Sequence, residues 1–429
     1  MKGSLVYSLL ILVVSAFAAQ NAHALPAFAL REKVSCVMCH TNGSAPHLTH
    51  YGYLYRRAGF RNPSNIGNKE FDDKAMTFQE HMAAGVNVSY ELVSNTPAGG
   101  DNAQMVSNNI NVPEVEVWPL VGGFLGNYGV WSEIDATPTT AAGGGLDLSQ
   151  ADLRYVVGTP DLFFNFRAGI MAPEGFGASD QWFDDANIPL IDQLTANFNE
   201  DTLALPFGAM EQPELGAEFG LNYFDAHLTF GIYNGFRGTN LQGTATAPLT
   251  PALANQSYGF SKDYKLQLDQ FVGDIGAVTA AFYHGYIPLM DPTGTAFSWG
   301  DHYNTGRLYL TWFALPAVLD IEAGGAWASN QYVVATSTVN GTFDSKGFFA
   351  GALWYVKPHL SIAGRYDWDA FNTTSNLPTQ AKGFSFQVSL PYENNIFLLR
   401  FNRTNSDVAS GTILAGKTND FRAEWRFLF

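Results

Sequence analysis

The chain has 429 residues, of which 14% are charged and 14% aromatic, with 42 glycines and a formal net charge of -16. Charge this sparse beside Phe and Tyr this abundant excludes an ordinary soluble domain of that length, and after the first two dozen residues no apolar run approaches the roughly 20 that a membrane helix needs. So acidic a chain is a poor partner for nucleic acid, and P-loop, dinucleotide-binding and hydrolase patterns are absent.

The N-terminus has the pattern of an export signal. Lys2 supplies a positive charge, Leu5 to Ala19 form an apolar stretch too short to span a bilayer, and Ala22-His23-Ala24 is a small-residue cleavage site. Residues 1–24 are expected to be removed, leaving a mature chain that starts near Leu25. Next comes Cys36-Val37-Met38-Cys39-His40, two thiols two residues apart with a histidine directly behind them, the attachment pattern of a c-type haem. Each thiol can add across one vinyl group of the porphyrin, and His40 then falls beneath the iron as proximal ligand. A disulfide between the two cysteines would leave His40 there by accident, and a zinc site lacks its second Cys or His pair.

Residues 25–83 have their own character. Arg31, Lys33, Arg56, Arg57 and Arg61 make this segment basic within an acidic chain. Pro46 can open a helix as its first residue, and His47 to Ala58 can continue it until Gly59 stops it. His47 and His50, three apart on one face of that helix, are candidate distal ligands of the iron, with Met76, His81 and Met82 as alternatives; Met38, inside the attachment loop, is poorly placed. A histidine partner would lower the potential and a methionine would raise it. About 55 residues make too small a core to be stable alone, so the segment is expected to be a small α-helical plug in, or at the periplasmic mouth of, a barrel.

From residue 84 to 429 the pattern has period two. Val86, Val88, Tyr90 and Leu92 alternate with Asn87, Ser89 and Glu91; Ala226, Leu228, Phe230 and Ile232 with His227 and Thr229; Leu266 and Leu268 with Lys265, Gln267 and Asp269; Leu319, Ile321 and Ala323 with Asp320 and Glu322. The last stretch, Phe421 to Phe429, sets Phe421, Ala423, Trp425, Phe427 and Phe429 toward lipid and Arg422, Glu424 and Arg426 toward water, and an aromatic last residue resembles the assembly signal of outer-membrane proteins. Sixteen such segments can be counted, from 84–95, 110–119 and 126–136 through to 394–403 and 418–429. The expected fold is all-β: a transmembrane antiparallel barrel of about 16 strands with apolar outside and polar lumen. His227 and His284 are expected to face the lumen. Tyr223-Phe224-Asp225, Ala314-Leu315-Pro316 and Val356-Lys357-Pro358 read as tight periplasmic turns, and 172–213, 235–261 and 286–301 as extracellular loops. In the longest loop, Asp180, Asp184, Asp185, Glu200 and Asp201 either concentrate a divalent cation at hard oxygen ligands or keep the loop soluble.

Pro26-Ala27-Phe28-Ala29-Leu30-Arg31, then Cys36 to His40, Pro46, Leu48, Tyr51-Gly52 and Gly59-Phe60 together resemble the N-terminal motif of the fused cytochrome–porin family of outer-membrane proteins found in iron-oxidising bacteria. The chain departs from the family pattern where an aromatic-Gly-Arg triplet becomes Tyr51-Gly52-Tyr53 and the following Phe-Lys becomes Leu54-Tyr55. The resemblance implies one covalent haem c held in an outer-membrane pore. It implies an electron conduit from an extracellular donor, foremost Fe(II), to a periplasmic c-type cytochrome or other soluble carrier, at most an iron:cytochrome c oxidoreductase. A passive porin with the haem segment as structural plug is the alternative.

Overall fold

Backbone groups inside a bilayer have no water to bond, so strands that cross it must pair on both edges and close on themselves. The computed structural model describes residues 27–35, 38–40, 48–66, 81–111, 114–124, 126–137, 145–171, 214–234, 262–290, 297–333, 340–357, 359–372, 378–392, 395–407 and 415–428. Its strands are β1 (Ala83–Thr96), β2 (Gln104–Ile110), β3 (Glu114–Trp118), β4 (Gly122–Phe124), β5 (Tyr128–Thr137), β6 (Gly145–Gly158), β7 (Leu162–Met171), β8 (Glu214–Tyr223) and β9 (Ala226–Tyr233). They continue with β10 (Asp263–Val272), β11 (Gly276–Met290), β12 (Phe297–Leu315), β13 (Leu319–Val333), β14 (Asn340–Lys357), β15 (Leu360–Asn372), β16 (Pro378–Tyr392), β17 (Asn395–Ser406) and β18 (Gly416–Leu428). β2 and β3 lie end to end along β1 and act as one strand, while β4 is a short strip along the start of β5. The wall is therefore a closed antiparallel barrel of 16 strands, sealed where β1 pairs with β18 from Gly85 opposite Leu428 to Thr96 opposite Lys417.

The expected alternation is present. Leu228, Phe230, Leu266, Leu268 and Ile321 are exposed outward, whereas His227, Thr229, Lys265, Gln267, Asp269, Asp320 and Glu322 are buried on the lumen side. Leu266, 50% exposed, lies opposite Phe230 and Phe282 in the middle of the belt, while its neighbour Lys265 is 1% exposed and paired with Glu218 at 2.5 Å. One step along the strand thus decides whether a cation is tolerated. Leu266→Arg is expected to cost about 2–4 kcal/mol of barrel stability, read from urea unfolding in lipid vesicles.

Three sequence expectations need correction. His284 faces outward, beside Tyr264, with Nδ1 2.8 Å from Asn304 Oδ1; Tyr283 takes the lumen position and sends its hydroxyl to Asp263 at 2.9 Å. Residues 286–290 and 297–301 are not loop, because β11 and β12 stay paired from Tyr286 opposite His302 to Leu289 opposite Trp299. Strand also begins at Gln104 rather than Ile110, on the polar run Ser107-Asn108-Asn109, with a register shift beside Val93. His284 keeps the outward phase of Phe282, and in the other two cases backbone pairing continues past the stretch where alternation can be read. The anticipated turn at Tyr223-Phe224-Asp225 is present, whereas the one expected at Ala314-Leu315-Pro316 comes later, at Pro316-Ala317-Val318, because β12 stays paired to Leu315; Phe224 and Ala317 lie in the left-handed region (φ 50° and 57°).

Before the wall the described residues include helix α1 (Ala27–Glu32), helix α2 (His50–Arg57) and a 3-10 turn at Pro63–Asn65. Helix α2 begins later than Pro46 predicts. Leu48 is occupied in a backbone bridge with His40, and Thr49 is the N-cap, its hydroxyl accepting from Gly52 N at 3.1 Å. The far end closes as expected at Gly59 (φ 75°): Gly59 N donates to Arg56 O and Phe60 N to Tyr55 O, the paired bonds of a Schellman cap.

Candidate functional site

Eight residues of isolated helix are unstable in water, so α2 depends on what it touches. Tyr53 and Arg57, four apart on one face, both reach Asp269 on β10: Tyr53 donates its hydroxyl at 2.7 Å, and the Arg57 guanidinium stands 3.5 Å away. Asp269 is fully buried and also accepts from Gln267 and Thr279, each at 2.8 Å. The carbonyls at the C-terminal end of α2 are taken by the wall, Arg56 O by Arg154 at 3.1 Å and Arg57 O by Asn165 at 2.9 Å, which places a cation at the negative end of the helix. Beneath this lies a chain of buried ion pairs. Arg154 meets Asp152 at 2.7 Å, Arg167 bridges Asp152 and Glu218 at 3.0 and 3.4 Å, and Lys265 closes on Glu218.

Apolar contacts complete the seat. Ala58 and Ile66 pack with Val156 and Phe163, and Tyr53 with Phe271 and Ala277. All four wall residues point into the lumen at the periplasmic ends of their strands, where alternation predicts polar side chains. The sequence signal for them is a doublet that breaks the period: Val156-Val157, Phe163-Phe164 and Phe271-Val272. On the other side Phe28 of α1 stacks on Phe60 (centroids 5.0 Å apart) and Phe60 on Trp131 of β5 (5.1 Å). Arg31 donates to Tyr55 Oη and Phe60 O, and Arg61 to Tyr128 O. Gly123 N of β4 also donates to Phe60 O at 3.0 Å, so the described N-terminal residues are fastened to the wall from β4 round to β11.

Of the residues singled out from the sequence, Met38, Cys39 and His40 stand against the start of α2. Cys39 is held directly against α2: Thr49 N donates to Cys39 O at 2.8 Å and Thr49 Oγ1 to Met38 O at 2.6 Å. Gly52 is required there, since a Cβ on it would stand 2.1 Å from Cys39 O. His40 follows, paired by its backbone with Leu48. Met38 is 47% exposed. Tyr51 lies beside Cys39; burial, with Glu32 and Cys39 adding to it, pushes its phenol up to about 12. Cys36, His47 and Met76 lie outside the described residues, as do Asp180, Asp184, Asp185, Glu200 and Asp201.

The structure brings His50 to the barrel wall. Its ring stacks on Phe271 (4.2 Å, 25°), and Nε2 is 3.5 Å from the carboxylate of Asp225 in the turn between β8 and β9. Burial lowers the imidazole's proton affinity, against the pull of that carboxylate. His81 stands elsewhere, in reciprocal contact with Val121: Val121 N donates to His81 O at 2.8 Å, and His81 Nδ1 is 3.1 Å from Val121 O. Sequence reasoning found the motif but missed Asp269, Arg154 and Asn165, three polar lumen residues among many.

No family model matches the chain, and no curated protein matches it. Solved structures with similar folds include an anion-selective porin from Comamonas acidovorans (TM-score 0.53, 9% identity, 81% of this chain and 98% of that one). They also include the outer-membrane channel DcaP of Acinetobacter baumannii (0.51, 10%, 81% and 96%) and OmpT of Vibrio cholerae (0.50, 10%, 81% and 97%). At such identities the likeness is one of fold: a porin-like barrel. Its continuous apolar outer face requires lipid around it, and the chain is a bacterial outer-membrane protein.

Proposed function

We propose that the chain is an outer-membrane electron conduit, in which one haem c attached at Cys36, Cys39 and His40 passes electrons from an extracellular donor, foremost Fe(II), to a periplasmic c-type cytochrome or other soluble carrier. The observation that carries this reading is the docking of the attachment motif, through Thr49 and the side-chain-free face of Gly52, onto a helix bonded into the barrel lumen. The donor set suits the group: two thiols for covalent attachment and an adjacent imidazole to ligate the iron, with His47 and His50 as candidate distal ligands. When bound, such a haem supplies a one-electron iron couple, and no substrate bond is broken.

The chain's own residues supply position. An apolar band roughly 25 Å tall is too thick for one useful tunnelling step, so a lone redox centre serves both sides only if it is held within the perforation, close to each partner. Tyr53, Arg57, Arg154 and Asn165 fix the plug to the lumen wall and thereby fix the distance from the centre to both faces. The resemblance of residues 26–60 to the cytochrome–porin motif supports the same reading. The two tyrosines by which the chain departs from that motif have work here: Tyr53 bonds Asp269 and Tyr55 bonds Arg31 and Glu32.

A second reading, a passive porin with a structural plug, is favoured by one observation: the seating bonds to the wall come from α2 and its flanks and not from the attachment motif. The two are separated by adding Fe(II) to intact cells that make the protein. The conduit gives a reduced c-type haem spectrum within the mixing experiment; a haem that stays oxidised while small solutes enter supports the passive pore.

A further inference from the structure

The outward positions of β14–β18 carry a row of cations. Lys346, Lys382, Arg403 and Lys417 are all exposed, and the register sets them in one stepped band. Lys346 is opposite Ala370, Lys382 opposite Trp368 and Asn405, Arg403 opposite Phe384 and Asn419, and Lys417 opposite Asn405. Neighbouring strands therefore place each cation level with the next or one diagonal step away. The row lies at the strand ends that lead into the longer connections, the extracellular end of the barrel.

Toward the membrane centre from this row come Phe348, Tyr366, Phe386, Phe401 and Phe421, exposed on the same face, with Phe384 level with Arg403. Cations with long apolar stems above an aromatic band mark the level of lipid headgroups. The distribution is one-sided: among the described residues, no outward strand position on β5–β13 holds Lys or Arg. Among the described residues none of the four is in an ion pair, and the nearby carboxylate of Asp407 already accepts from Gln380 N at 3.1 Å. In a chain of net charge -16, a cationic row set on one side of the lipid face is not explained by solubility.

We propose that Lys346, Lys382, Arg403 and Lys417 bind the phosphate groups of a phosphorylated glycolipid in the outer leaflet. Four donors spread over five adjacent strands suit a bulky headgroup with two phosphates, each taking charge-assisted hydrogen bonds, while the aromatic band below packs against its acyl chains.

The test uses the full-length barrel in detergent micelles titrated with bisphosphorylated lipid A, dephosphorylated lipid A or inorganic phosphate. Wild type is expected to bind the bisphosphorylated lipid, and the K346Q/K382Q/R403Q/K417Q variant to bind it on the order of a hundredfold more weakly, with no difference between them for the dephosphorylated lipid. Equal affinity of variant and wild type for the bisphosphorylated lipid overturns the proposal. So does inorganic phosphate binding that depends on the same four residues and blocks the lipid, since the site would then serve a free anion. If the fourfold variant does not assemble, the pairs K346Q/K382Q and R403Q/K417Q are assayed separately, and wild-type affinity in both overturns it equally.

Discussion

Replacing Cys36 and Cys39 together by alanine is expected to abolish covalent haem completely and leave the barrel assembled. The first half follows from chemistry: with neither thiol there is nothing to add to the porphyrin vinyl groups, and His40 alone holds an exchangeable group at best. The second half follows from the structure. The bonds that seat the plug run from Tyr53, Arg57, Arg61 and the C-terminal carbonyls of α2, and the cap that starts α2 is Thr49, whose contact with residue 39 is to its backbone carbonyl. An alanine keeps that carbonyl. The double variant should therefore reach the outer membrane with the heat-shifted gel mobility of a folded barrel, yet show no haem staining and no c-type spectrum. A variant that retains covalent haem would disprove the attachment site. One that fails to assemble would show that the haem belongs to the folding nucleus of the plug, a role the hydrogen bonds do not give it.

Most of the wall was legible because lipid imposes a strict rule on it. Wherever a strand crosses the apolar band, each outward residue must be apolar, and the alternation at Leu266-Gln267-Leu268 or Leu319-Asp320-Ile321 follows directly. Beyond the band the rule lapses. Residues 340–344, 297–301 and 104–109 remain paired through their backbones although their sequences do not hold a strict apolar–polar alternation. The Cys36–His40 motif on which the proposed haem rests can be read locally, as five consecutive residues whose chemistry needs no fold. The seat of the plug was not, because it is made of contacts such as Tyr53 with Asp269, 216 residues apart. Every second residue of the barrel faces the lumen, and nothing local distinguishes Asp269 from Asp320 until the chain is closed. The one available clue was the inward Phe163 and Phe271, apolar where the period calls for polar.

Asp269→Ala is expected to unseat the plug. The wild-type carboxylate is fully buried, takes hydrogen bonds from Tyr53, Gln267 and Thr279, and faces the Arg57 guanidinium. Removing it leaves a buried cation without this counter-charge, which costs about 3–5 kcal/mol, and leaves three donors to find other partners. Two of those donors belong to the wall and stay in place whatever the plug does, so the loss falls mainly on the seated state, in which Arg57 and Tyr53 are desolvated. At about 1.4 kcal/mol per tenfold, the ratio of seated to unseated plug should fall on the order of a hundredfold or more. Asp269→Asn, which keeps an acceptor for Tyr53 but discards the charge, should fall between. In planar bilayers the alanine variant should conduct in frequent, long openings where wild type conducts rarely. Asp320→Ala provides the comparison: Asp320 is equally buried on the lumen side but bonds Tyr355, a wall residue, at 2.8 Å, so its loss should weaken the barrel without opening it. Should Asp269→Ala and wild type conduct alike in folded barrels, the plug would be held by the aromatic stack of Phe28, Phe60 and Trp131 rather than by the latch on β10.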